Sequence, residues 1–201
     1  MAVNLQKGQR VSLTKDNAGL SKIMVGLGWD PVPQGGKGLL GSLFGGGAPN
    51  VDCDSSVFLI DGNGKLRSKE DIVYFGNLKH KSGSIQHMGD NLTGDGAGDD
   101  EQIMVDLSRV PQDIAKLVFA VNIYDAVKRK QHFGMIRNAF IRIVNNDNRQ
   151  EMLRFSLTDD YSNKTGLFVA EIYRSESEWK FAAIGEGDTA ANLGEMINKY
   201  R

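Results

Sequence analysis

Lys116-Leu117-Val118-Phe119-Ala120-Val121-Asn122-Ile123-Tyr124 is the most continuous apolar run in the chain. A run of this length, bounded by polar residues, reads as a central strand of a β-sandwich. The segments around it are shorter and carry strand patterning of their own. Residues 11–14 alternate, and residues 22–29 form a second strand, with Gly26 and Gly28 suited to close backbone approach and Asp30-Pro31 stopping it. Strands are also expected over 55–60, 71–75, 101–107, 139–144, 152–157, 166–173 and 179–184, while residues 84–87 are read as leading into the acidic stretch. Asp61-Gly62-Asn63-Gly64 is a hairpin turn signal, and residues 175–178 join the last two strands as a hairpin. Short helical turns are expected near Ser108 and over 125–132. Nine or ten short strands separated by turn signals predict an all-β fold, an antiparallel β-sandwich.

Two segments depart from this pattern. Residues 31–50 hold seven glycines around Leu39, Leu40, Leu43 and Phe44, which predicts a long inserted loop with an apolar centre. Residues 188–201 place Leu193, Met196, Ile197 and Tyr200 at helical spacing, with Asp188 or Thr189 as the expected N-cap. The organisation expected is therefore one sandwich domain over 1–187 and a helical tail over 188–201.

The 201 residues are 40% hydrophobic, enough for one cored domain. A formal net charge of −1 argues against general binding of nucleic-acid phosphates. A single cysteine, Cys53, excludes an intrachain disulfide and a cysteine-based zinc finger. The first residues lack the apolar core of a signal peptide, and no window approaches a membrane span, so a cytoplasmic protein is expected.

The chemistry concentrates in Asp90-Asn91-Leu92-Thr93-Gly94-Asp95-Gly96-Ala97-Gly98-Asp99-Asp100-Glu101. It holds five carboxylates and three glycines, with no Lys or Arg. Carboxylates this close repel one another and call for a partner charge. Ca²⁺ is suited to them, because it takes six to eight oxygen ligands from carboxylates, amides and backbone carbonyls. The stretch is not an EF-hand: position 3 counted from Asp90 is Leu92, and counted from Asp52 positions 6 and 12 are Val57 and Asn63. A calcium site here is expected to draw on several loops. Asp52 and Asp54 begin a strand and share one face, opposite Cys53. Asp125 ends the apolar run and Asp30 follows Trp29; each is either a turn former or a further ligand.

Other chemistries lack their signatures. His80, His87 and His132 show no metal spacing and are expected at the surface or as outer partners of a site. Cys53 is expected to be a small buried hydrophobe, since the neighbouring carboxylates raise its pKa. No GxSxG, Walker A or dinucleotide fingerprint is present, and the glycine-rich loop lacks a Gly-Lys-Ser/Thr ending.

Gly26-Leu27-Gly28-Trp29-Asp30, Asp52-x-Asp54-x-Ser56-Val57-Phe58-Leu59 and residues 89–101 together resemble the TerD-like tellurite-resistance and stress proteins of bacteria. Val121-x-Ile123-Tyr124-Asp125, Gln131-x-Phe133-Gly134, residues 138–142, residues 171–174 and Trp179-Lys180-Phe181 continue the resemblance, which covers about residues 1–187. It implies a β-sandwich that binds Ca²⁺ through acidic loops at one end, with a role in tellurite and chemical-stress resistance. The residues that carry over as metal ligands are Asp30, Asp52, Asp54, Asp90, Asn91, Asp95, Asp99, Asp100, Glu101 and Asp125. The inserted loop and the tail depart from the family pattern.

The expected function is a calcium-binding, non-enzymatic stress module that acts through other stress-response proteins, members of the same family included. Self-association through residues 35–47 is a further expectation. The rival from another class is a metal-dependent phosphoester hydrolase at the same acidic end; no His or Lys is placed to serve it. A calcium-dependent lectin-like sandwich is the third reading.

Overall fold

The computed structural model describes residues 2–15, 17–32, 51–89 and 98–201. Most of the glycine-rich loop, including the segment 35–47 expected to self-associate, lies outside the described residues. So do Asp90, Asn91 and Asp95.

Twelve strands are described. In chain order they are β1 Val3–Leu5, β2 Arg10–Ser12, β3 Lys22–Pro31, β4 Cys53–Asp61, β5 Ile72–Val73 and β6 Ile85–His87. There follow β7 Glu101–Asp106, β8 Ile114–Ile123, β9 Ile136–Asn145, β10 Glu151–Ser156, β11 Gly166–Ser175 and β12 Glu178–Asp188. One sheet has the order β1-β10-β9-β3-β7-β6 and the other β2-β12-β11-β8-β4-β5. Every pairing is antiparallel except that of β1 with β10. The expected antiparallel sandwich is the fold observed. Its short helices are α1, Ala126–Arg129, and α2, Leu193–Met196, beside several 3-10 turns.

The run that opened the sequence reading is β8, an interior strand flanked by β11 and β4. Strand geometry sends alternate side chains to opposite faces. Leu117, Phe119, Val121 and Ile123 enter the core between the sheets. Val118 and Ala120 face outward, into a second buried cluster with Phe58, Ile60, Phe168, Met196, Ile197 and Tyr200. The run is continuous rather than alternating because both of its faces are covered. The C-terminal tail covers the outer one. Tyr200 meets the rings of Phe58 and Phe168 edge-on, at 6.1 and 5.9 Å between centroids.

Three local expectations are corrected. β3 takes in Asp30 and ends at Pro31 instead of ending at Trp29, because Asp30 pairs with Arg137 and Pro31 with Ile136 beyond an irregularity between Gly28 and Asp30. The strand expected over 71–75 shrinks to Ile72–Val73, and Phe75 is exposed. The tail helix starts later than expected. Asp188 still pairs with Gly166 in the sheet, and the N-cap is Asn192, whose side chain accepts from the Glu195 backbone N–H.

Because the tail closes over the outer face, Phe168 is as buried as a residue between the sheets. Phe168→Ala is expected to cost about 3–5 kcal/mol in urea unfolding. A loss below about 1 kcal/mol would mean that the tail leaves this face open to water.

Candidate metal centre

β3 prepares the acidic end. Its Ile23, Val25, Leu27 and Trp29 are buried in the core. Gly26 and Gly28 alternate with them and leave the opposite face bare. A methyl group on Gly26 would collide with the Asp99 carboxylate, and one on Gly28 would lie 2.7 Å from the Gly98 carbonyl and 2.5 Å from the Phe140 ring. The two glycines therefore let the end of the acidic stretch lie directly on the sheet. The Asp100 backbone N–H donates to the Leu27 carbonyl at 2.8 Å, and Asp100 Oδ2 accepts from the Trp29 N–H at 2.7 Å.

Asp99 is clamped on that outer face. Arg142 donates from Nε and Nη2 to its two carboxylate oxygens at 2.7 and 2.9 Å, and from Nη1 to Glu151 at 2.8 Å. A planar guanidinium matches a carboxylate in this two-point manner. The bond to Asp99, ahead of that to Glu151, holds Arg142 well above its ordinary pKa. Burial works against the Glu151 carboxylate, yet the hydrogen bonds from Arg154 and Arg142 keep it below its usual range.

Glu101 takes the other direction. It shares the parity of Ile103 and Val105, so its side chain enters the sandwich and is fully buried. Its Oε2 crosses to the opposite sheet and accepts from the Ser55 N–H at 2.7 Å. His87, inward like Ile85 on β6, places Nε2 3.0 Å from Ser55 Oγ and 3.5 Å from Glu101 Oε2. Glu101 Oε1 is buried and has no hydrogen-bond partner among the described residues.

Asp52 and Asp54 flank Cys53, as expected. Asp52 lies 3.4 Å from Arg129 through Oδ2, while its Oδ1 is buried without a hydrogen-bond partner among the described residues. Asp54 is buried and lines a cleft of about 470 Å³ with Tyr74, Asn122, Tyr124 and Asp125. Cys53 is the small buried residue expected. Burial raises its thiol well above the usual range, and Asp54, Glu101, Asp52 and Asp100 add to the effect. These four carboxylates are thus near enough to act on one buried point. Asp100 itself is raised, first by burial and then by Asp30, Glu101 and Asp99, against the Trp29 hydrogen bond.

The remaining sequence-derived ligands are engaged elsewhere. Asp30 Oδ2 accepts from Asn138 Nδ2 at 2.7 Å. Asp125 begins α1 in the left-handed region, φ 53°, half exposed beside Lys128 at 3.7 Å. The acidic residues therefore face three ways: Asp99 onto one outer face, Glu101 between the sheets, and Asp54 into the cleft. Among the described residues, no three His, Cys, Asp or Glu side chains converge in a metal-holding group. The donor chemistry still suits a hard cation, because Glu101 Oε1 and Asp52 Oδ1 are buried carboxylate oxygens without hydrogen-bond partners among those residues. Such oxygens are costly unless a positive charge approaches them.

Sequence reasoning missed Arg142, Ser55 and the burial of His80 and His87. His87 and His80 are 1% and 2% exposed, so neither is a surface residue. The period-two pattern of β6 carried the signal for His87, and Cys53, Ser55 and Val57 carried it for Ser55. Ser55 and His87 have the types of a nucleophile and a base. Both are sealed at 1% exposure, which leaves a substrate no approach.

These features define a class: a sandwich of two six-stranded sheets among the described residues, with carboxylates at one end. The TerD domain model matches residues 1–200, and the chain belongs to that family. The tail expected to fall outside the resemblance thus lies within the match. The chain is 62% identical over 200 residues to the stress response protein SCP2 of Bacillus subtilis (strain 168), covering all of both chains. It is 42% identical to the tellurium resistance protein TerD of Serratia marcescens, covering 100% of this chain and 97% of that one. A solved Streptomyces coelicolor homologue of the telluride resistance protein shares the fold, with TM-score 0.64 at 22% identity, covering 88% of this chain and 98% of that one. No helix among the described residues is long and apolar enough to cross a membrane.

The raised pKa of Asp100 sets a pH prediction. A folded-state value above the unfolded one favours the fold below the unfolded pKa, and that advantage is lost as pH rises through the folded value. In EDTA, Asp100→Asn should therefore melt higher than wild type at pH 7, with the gap closing towards about pH 4. Asn keeps an oxygen for the Trp29 N–H. A gap that widens as the pH falls would contradict the assignment.

Proposed function

We propose that this protein is a calcium-binding, non-enzymatic stress module of the cytoplasm that acts through partner proteins, members of its own family among them. The observation that carries the reading is the buried Glu101 carboxylate. One oxygen is held by Ser55, and the other meets no donor among the described residues. Asp52 offers a second buried oxygen of the same kind. All the candidate donors are oxygens, which suits Ca²⁺ better than Zn²⁺, and glycine-rich loops suit Ca²⁺ better than the tight octahedron of Mg²⁺.

When bound, the cation supplies the positive charge that these carboxylates lack. Glu101 would hold it from between the sheets, with Asp90, Asn91 and Asp95 of the same acidic stretch and the carboxylates of Asp52, Asp54 and Asp100 as the further proposed donors. Asp99, fixed by Arg142, anchors that stretch to the sheet. The loops so ordered would present a surface to partner proteins, and residues 35–47 add an apolar segment for self-association. Resistance to tellurite and chemical stress is the role to which the relatives' names point.

Calcium that binds the folded chain and not the unfolded one stabilises it by about 2.7 kcal/mol at a hundredfold excess over Kd. A rise in melting temperature with calcium is expected, reversed by EDTA, with little change in far-UV circular dichroism. The sandwich core does not depend on the acidic end, so the metal-free protein should remain folded. Mg²⁺ and Zn²⁺ at equal concentration should do less. A melting temperature indifferent to calcium, or raised more by Zn²⁺ or Mg²⁺, would overturn the reading.

A further inference from the structure

Three polar side chains lie between the sheets at the acidic end: Ser55 from β4, His87 from β6 and Glu101 from β7. They form a connected set. The Gly89 backbone N–H donates to His87 Nδ1 at 3.2 Å. That bond requires a lone pair on Nδ1, so the proton of a neutral ring resides on Nε2. Nε2–H then faces Ser55 Oγ at 3.0 Å and Glu101 Oε2 at 3.5 Å. The Ser55 N–H reaches the same Oε2 at 2.7 Å. The Ser55 N–H holds one oxygen of Glu101, the His87 ring lies beside that oxygen while bonded to Ser55 Oγ, and the other oxygen, Oε1, is buried with no partner among the described residues.

We infer that His87 is a positioning residue of the cation site, fixing the Glu101 carboxylate so that Oε1 is kept for the metal. The inference rests on the calcium reading above. His87 also joins the two ends of the acidic stretch. Its Nδ1 holds Gly89, which immediately precedes Asp90, and its Nε2 faces Glu101, the stretch's last residue. One imidazole thus ties the exit of β6, the start of β7 and the start of β4 together. Residues that orient a ligand from behind are worth about ten- to a hundredfold in metal affinity.

The role predicts a difference between two amides. In His87→Gln, the side-chain N–H₂ can still reach towards Ser55 and Glu101. In His87→Asn, the shorter side chain can satisfy Gly89 but cannot reach Glu101. Calorimetric titration of metal-stripped protein with CaCl₂ should show His87→Asn weaker than wild type by about ten- to a hundredfold, and His87→Gln close to wild type. In a Glu101→Gln background the two variants should bind calcium equally, because the effect travels through Glu101. Imidazole ¹⁵N spectra of the wild type, which need no substitution, should show the Nε2–H tautomer with and without calcium. Equal affinities of His87→Asn and His87→Gln in the Glu101 protein, or an Nδ1–H tautomer, would overturn the role of His87 while leaving calcium binding intact. A wild type that takes up no calcium would overturn the calcium reading and this inference with it.

Discussion

The acidic end is built around a carboxylate forced between two sheets. Glu101 begins β7 on the core-facing parity, so β-geometry alone drives its side chain inward. A buried carboxylate is costly unless it is hydrogen-bonded and paired. The Ser55 N–H from the opposite sheet satisfies one oxygen, and His87 on the edge strand bonds the Ser55 hydroxyl beside it, 3.5 Å from the same oxygen. The other has no donor among the described residues. The cost is local, whereas the apolar core beyond it is continuous, so the fold can carry an incomplete charge at its end.

The outer faces show how the chain brings its acids to this place. Two glycines on β3 remove the side chains that would keep the acidic stretch away, and Arg142 locks Asp99 over the bare strip. Asp99, the acid that a count of charges would choose first as a ligand, has both oxygens taken by a guanidinium. Glu101 and Asp52 have the oxygens left over. Charge density attracts notice in a sequence, while unfinished hydrogen bonding decides which carboxylates have something to offer a cation.

Much of the fold was legible. The apolar run 116–124 identified an interior strand, and its lack of alternation is explained by the tail that covers its outer face. Turn residues separated most of the other strands correctly. What escaped was contact over long sequence distance. The pairing of Asp188 with Gly166, which delays the tail helix, leaves no local trace. Arg142 stands 43 residues from Asp99, and no pattern in either segment announces their bond. His87 was different. The alternation of Ile85 and His87 points it inward, but a lone histidine without metal spacing reads equally as a surface residue or as an outer partner of a site, and burial leaves only the second. The candidate ligands on 90–97 fall outside the described residues, so the site is legible there from sequence alone.

The most direct test of the central claim is a crystal structure of the calcium-loaded protein, with the cation located by its anomalous signal. The account predicts a calcium ion within about 2.3–2.6 Å of Glu101 Oε1, with Asp99 still held by Arg142. A calcium ion bound elsewhere, with Glu101 Oε1 left unengaged, would contradict it.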